Sequence, residues 1–260
     1  MKTKRFQKEN LRRGIYVLPN MFTTMNLFCG FYAVIASIDG KFVAAAIAII
    51  IAGVFDNLDG KIARATGTTS KFGIEYDSLA DLMSFGLAPG LMIYLWALKP
   101  LGRIGWLAAF LFMVCGALRL ARFNTQVGTV SSERFVGLPI PAAAGMNAVT
   151  ILIFDKLNIA GSAHAILVLI MLYALSFLMV SSIKYNSFKK PELFRKMNFN
   201  SFVMAVLIFI FIASQPAIAL FLCGVLYVLS GPFSTLKRYV HIKQKEAKKL
   251  KEHKRTTRPS

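Results

Sequence analysis

Residues 42–64 read FVAAAIAIIIAGVFDNLDGKIAR. No charge interrupts this run before Asp56, and a second carboxylate, Asp59, follows one helical turn later. The run is close to the ~20 residues an α-helix needs to cross a bilayer. Ionisable groups inside such a helix are costly, so they are functional candidates by default. The next apolar stretch carries Asp77 and Asp81. Asp56 and Asp59 are spaced i,i+3, and Asp77 and Asp81 i,i+4, so on helices each pair shares one face. Two facing helices would bring four carboxylates to one point. Bare, they would repel one another; oxygen ligands in such number suit hard divalent cations.

Outward from this stretch the same texture repeats. The chain has 260 residues, 56% hydrophobic, with a mean hydropathy of +0.57. Eight spans are expected, at 19–37, 42–64, 74–97, 104–124, 137–155, 163–183, 200–214 and 216–234. Inside a bilayer every backbone group must be paired internally, so these are helices, and the alternation of a β-barrel is absent. The fold class is all-α, a polytopic membrane helix bundle. Pro19 and Asn20 are expected to open the first span, with Pro in a favourable helix-start position. Pro89 and Gly90 predict a kink in the third.

Charge sets the topology. With the N-terminus in the cytoplasm, all of the 31 Lys and Arg residues except Lys41, Lys99, Arg103 and Lys156 fall on the cytoplasmic side. This is the positive-inside asymmetry, and it places both termini in the cytoplasm. It also accounts for the net charge of +19 without nucleic acid. A signal peptide does not fit, because the first apolar block is broken by Asn20, Thr23, Thr24 and Asn26 and ends in no small-residue cleavage site. The three cysteines, Cys29, Cys115 and Cys223, lie in separate spans and read as buried thiols. Four regions follow: a basic arm (1–18), a membrane core (19–183), a basic loop with two further helices (184–236) and a basic tail (237–260). Polar loops are expected at 125–136 and 184–199.

The aspartates belong to a longer pattern, Asp-x2-Asp-Gly-x2-Ala-Arg-x8-Gly-x3-Asp-x3-Asp, formed by Asp56, Asp59, Gly60, Ala63, Arg64, Gly73, Asp77 and Asp81. It resembles the signature of the CDP-alcohol phosphotransferases at every defining position. Flanking segments look like the serine-using members: Tyr76–Asp81, Ser84–Pro89, Gly116–Asn124 and Gly137–Pro141. The resemblance covers roughly residues 12 to 190. It implies a membrane enzyme that moves a phosphatidyl group from CDP-diacylglycerol to the hydroxyl of L-serine and releases CMP. It further implies two Mg²⁺ or Mn²⁺ ions held by Asp56, Asp59 and Asp77, with Asp81 touching one metal and serving as general base. A homodimer is implied, in a bacterial or archaeal cell membrane with the site facing the cytoplasm.

Other residues carry two readings each. Gly60 either permits close helix packing or leaves room for the nucleotide. Arg64 is a juxtamembrane anchor or a diphosphate ligand. Ser70 is a solvated turn residue or the family's nucleotide-contacting hydroxyl, and Asn20 matches a substrate-contacting position. Arg119 and Arg122, with Asn124 nearby, either snorkel to headgroups or bind the serine carboxylate, since carboxylates suit arginine. Rival functions are the same chemistry on glycerol phosphate, inositol phosphate or choline, a cation transporter using the Asp cluster, and a lipid-binding scaffold. A transporter predicts mid-membrane carboxylates and often inverted repeats; here the carboxylates lie toward one face and no repeat is evident. The His241-x-Lys243 start of a phospholipase-D-type motif fails, because Lys248 stands where Asp is needed. His164 reads as structural.

Overall fold

The computed structural model describes residues 2–68, 70–126, 135–185 and 213–235. Seven helices occur there. They are α1 (Lys2–Ile38), α2 (Phe42–Thr66), α3 (Lys71–Leu101), α4 (Arg103–Gln126), α5 (Ile140–Lys156), α6 (Gly161–Val180) and α7 (Pro216–Thr235). All except α5 are long and apolar enough to cross a membrane, and in α1 the qualifying stretch is Leu18–Ile38. The expected span at 137–155 is helix α5; at 17 residues it is about 25 Å long, just short of the hydrocarbon thickness. The expected span at 200–214 lies outside the described residues except for its last two.

Three expectations are corrected. Pro19 does not open a helix; it lies inside α1. The preceding arm is rich in Lys and Arg, both good helix formers. The carbonyl that proline leaves without a donor lies outside the apolar stretch, where water can serve it. The second correction is in the loops. Phe135–Val136 and Lys184–Tyr185 pair as a two-residue antiparallel bridge, too short to change the all-α class. Gly137 turns the chain out of this bridge with φ +84, a conformation that favours glycine. A Cβ there would collide with the Met179 carbonyl.

In α3 the irregularity expected at Pro89 takes the form of widened turns, at Leu82–Leu87 and Tyr94–Leu98. The first directly precedes Pro89, whose ring cannot sit against the carbonyl one regular turn back.

Small residues let the helices approach, as packing without a hydrophobic driving force requires. Ala33, Ala36, Ala45, Ala46, Ala48, Ile49 and Ala52 are buried where α1 and α2 run side by side. Gly86 and Gly116 face each other across α3 and α4, and Gly90 meets the backbone of Ala109. Phe28, Phe31, Phe110, Ile166 and Phe177 are exposed, as a lipid-facing surface demands. Cys29 is half-buried and Cys115 buried, but Cys223 is exposed on α7, correcting the expectation that all three thiols are buried. At the end of the bundle away from the aspartates, His164 stacks edge-on against Phe154 (5.8 Å), and Phe154 against Trp96 (5.3 Å).

The α2–α3 turn decides where the carboxylates meet. Gly67 adopts the left-handed conformation (φ 64) that ends α2. Ser70 starts α3, its hydroxyl accepting the Gly73 N–H at 3.0 Å. Counted from this turn, Asp59 lies 7 residues before the end of α2 (Thr66) and Asp77 6 residues after the start of α3 (Lys71). At 1.5 Å per residue both sit about 10 Å deep, so the two antiparallel helices hold them level.

Candidate metal centre and substrate cavity

Asp56, Asp59 and Asp77 each offer a carboxylate oxygen, and these oxygens lie within 4.8 Å of one another. Asp81, one turn further along α3, stands beside Asp56. Asp59 and Asp81 are buried. Among the residues whose side chains are described the only ion pair is Lys41–Asp39 at 3.3 Å. None of their lysines or arginines is salt-bridged to the four aspartates, and Arg119 acts on Asp81 only as a nearby charge. One oxygen of Asp77 is buried without any hydrogen-bond partner. Buried charge without a partner is strongly destabilising. An all-oxygen, uncompensated, partly orphaned donor set fits a hard divalent cation, for which Asp56, Asp59 and Asp77 are the ligands at hand.

Helix α1 closes the third side. The Thr23 hydroxyl donates to Asp59 Oδ2 at 2.9 Å and lies 3.2 Å from the Pro19 carbonyl. The Asn26 amide donates to Asp81 Oδ1 at 3.0 Å. Sequence reasoning missed both residues. The signal was present, since Thr23 and Asn26 are polar positions one turn apart in a membrane span, but in the sequence they serve only as an objection to a signal peptide.

A cavity of ≈ 200 Å³ opens beside the carboxylates. Asn20, Gly60, Arg64 and Ser70 all line it, together with Asp59 and Asp77. A Cβ on Gly60 would approach only the Arg64 guanidinium, at 3.6 Å. Among the described residues no neighbouring helix presses on Gly60, and the glycine borders the cavity. Gly73 packs against Ser70 Oγ and Asn20 Oδ1, which ties the start of α3 to α1. Tyr76 reaches the same helix, its hydroxyl 2.9 Å from that of Thr24. The Ser70 hydroxyl uses one lone pair for the helix cap and, among the described residues, donates its proton to no protein group.

The three acceptor-side residues part company. The Asn124 amide donates to the Ser78 hydroxyl at 2.9 Å, which docks the end of α4 on α3 between Asp77 and Asp81. Arg119 is half-buried, and its Nε is buried with no partner. Arg122 is exposed. Arg119 is close enough to Asp81 to interact with it electrostatically and Asn124 docks on Ser78, while Arg122 stays at the surface.

Comparison with known proteins agrees in extent and in kind. The family described as CDP-alcohol phosphatidyltransferase matches residues 16–180. The chain is 38% identical over 217 residues to a CDP-diacylglycerol–serine O-phosphatidyltransferase of Helicobacter pylori, covering 84% of this chain and 90% of that one. It is 40% identical over 174 residues to the enzyme of the same name from Bacillus subtilis, covering 66% of this chain and 92% of that one. An archaetidylserine synthase of Methanothermobacter thermautotrophicus is 41% identical over 170 residues, 65% of this chain and 69% of the relative.

Proposed function

We propose that this chain, which belongs to the CDP-alcohol phosphatidyltransferase family, transfers the phosphatidyl group of CDP-diacylglycerol to the hydroxyl of L-serine and releases CMP. The observation that carries the chemistry is the group of Asp56, Asp59 and Asp77, without a salt bridge among the described residues, two of which, Asp59 and Asp77, line the cavity. The acceptor rests on the serine-using relatives, which align over most of both chains.

The site would bind Mg²⁺ or Mn²⁺, two ions by the resemblance of the full motif. Such ions clamp a diphosphate, stabilise the leaving phosphate and acidify a hydroxyl. The protein's own residues supply the rest. Arg64 binds the diphosphate by charge-assisted hydrogen bonds. Asn20 and the free Ser70 proton meet the nucleotide, and Gly60 leaves it room. The serine hydroxyl attacks the phosphorus bonded to the diacylglycerol oxygen, and CMP departs in line. Asp81 takes the hydroxyl proton. Arg119, half-buried with its Nε unpartnered, binds the serine carboxylate; Asn124 fixes the end of α4 that carries it.

The protein acts as an integral membrane enzyme of about eight helices with both termini and the site on the cytoplasmic side, where serine is found, and we expect a homodimer. The test is CMP release by purified protein from CDP-diacylglycerol, with serine, glycerol phosphate, inositol phosphate and choline offered in turn. Serine alone should support turnover. Comparable rates with another alcohol would keep the chemistry and overturn the acceptor.

A further inference from the structure

Asn26 is fully buried in the apolar part of α1. Its amide nitrogen donates to Asp81 Oδ1 at 3.0 Å, while its own Oδ1 is buried without a partner. The alternative amide orientation would set that oxygen against a carboxylate oxygen, so the observed orientation follows from Asp81 acting as the acceptor. The backbone around Asn26 is held separately. Ser84 donates to the Asn26 carbonyl at 2.9 Å. One turn on, Gly30 lies so close to Ser84 that a Cβ would sit 2.7 Å from the Ser84 Cα. Helix α1 is thus seated on α3 by contacts that do not use the Asn26 side chain.

We infer that Asn26 is a positioning residue for the reaction. Its amide occupies one oxygen of Asp81 and turns the carboxylate so that the other faces the reacting hydroxyl. A leucine here would bury better in an apolar helix, yet the orphaned amide oxygen is tolerated. The donor to Asp81 offsets that cost, because hydrogen bonds to a charged group are among the strong ones. The inference rests on the reading of Asp81 as proton acceptor and not on which alcohol is used.

The test compares Asn26→Leu, close in size and without a donor, with wild type in detergent, using whichever acceptor gives the highest wild-type rate. That choice separates failure of this inference from failure of the serine assignment. The kcat should fall about ten- to hundredfold, the size of one charge-assisted hydrogen bond. KM for both substrates, and Mn²⁺ affinity of the purified protein measured directly, should stay within about threefold, since Asp56, Asp59 and Asp77 keep their places. Asn26→Ala, which adds no bulk, carries the same expectation if Asn26→Leu does not fold. Wild-type kcat in the folded variant would overturn the inference. So would a fall in Mn²⁺ affinity or a rise in KM large enough to account for the lost rate.

Discussion

Arg119 and Arg122 lie one turn apart on α4, and in the sequence they are equivalent. Burial separates them. An arginine whose Nε is shielded and unpaired gains most from a carboxylate, whereas an exposed one is already served by water. Arg119→Gln should raise the serine KM ten- to hundredfold, since a charge-assisted pair in a partly dry site contributes about 1.5–3 kcal/mol. Arg122→Gln should change it little, and neither should alter CDP-diacylglycerol affinity. Paired saturation curves decide; an Arg119 variant that loses lipid affinity while keeping its serine KM contradicts the assignment. At the carboxylates, Asp→Asn at 56, 59 or 77 keeps shape and removes charge. Activity should drop by orders of magnitude while the protein still inserts and elutes as wild type. The aspartates were legible from spacing alone, because carboxylates repeated at i,i+3 and i,i+4 in an apolar run are too costly to keep without a function. Asn26 was legible only as one of several polar positions in the first span; which carboxylate it meets depends on how α1 is rotated against α3, and spacing within one helix does not carry that.

At the scale of elements, the α2–α3 hairpin is the part that places the chemistry. Its turn is written in Gly67 and Ser70, and the apolar lengths on either side could be read to within a few residues. What hydropathy could not reveal was that α1 runs through Pro19, since an isolated proline near a membrane surface breaks the sequence pattern without breaking the helix. Widened turns in α3 were likewise visible only as a proline and a glycine. Ser70 has a structural duty and a proposed nucleotide contact, and these separate experimentally. Ser70→Ala should cost about 1 kcal/mol of stability through the lost cap and also raise the KM for CDP-diacylglycerol. Ser70→Asp restores the cap but places a negative charge beside a diphosphate, so stability should recover and the KM should rise further. A KM that recovers with stability would reduce Ser70 to a cap.

Across the whole molecule, residues 237–260 carry 10 of the basic residues and lie outside the described residues. Near an anionic surface each contributes roughly 1 kcal/mol of attraction. Truncation after Lys237 should leave turnover in detergent intact while weakening its dependence on anionic lipid in vesicles; a truncated protein inactive in detergent would make the tail part of the fold. The sequence conveyed the membrane class, the charge asymmetry and the carboxylate cluster because each depends on composition or local period. It could not convey which polar groups of α1 and α4 meet α2 and α3, since helix rotation in a bundle is set by small-residue contacts such as Gly30 with Ser84 and Gly86 with Gly116. The central claim is that the aspartate cluster moves a phosphatidyl group to serine with the help of a divalent ion. The most direct measurement is mass spectrometry of the lipid formed by metal-stripped protein from CDP-diacylglycerol and isotope-labelled serine, before and after Mg²⁺ or Mn²⁺ is restored. No product should form in EDTA, and labelled phosphatidylserine, equal in amount to CMP, should form once the ion returns. Undiminished product in EDTA, or CMP released without label in the lipid, would contradict it.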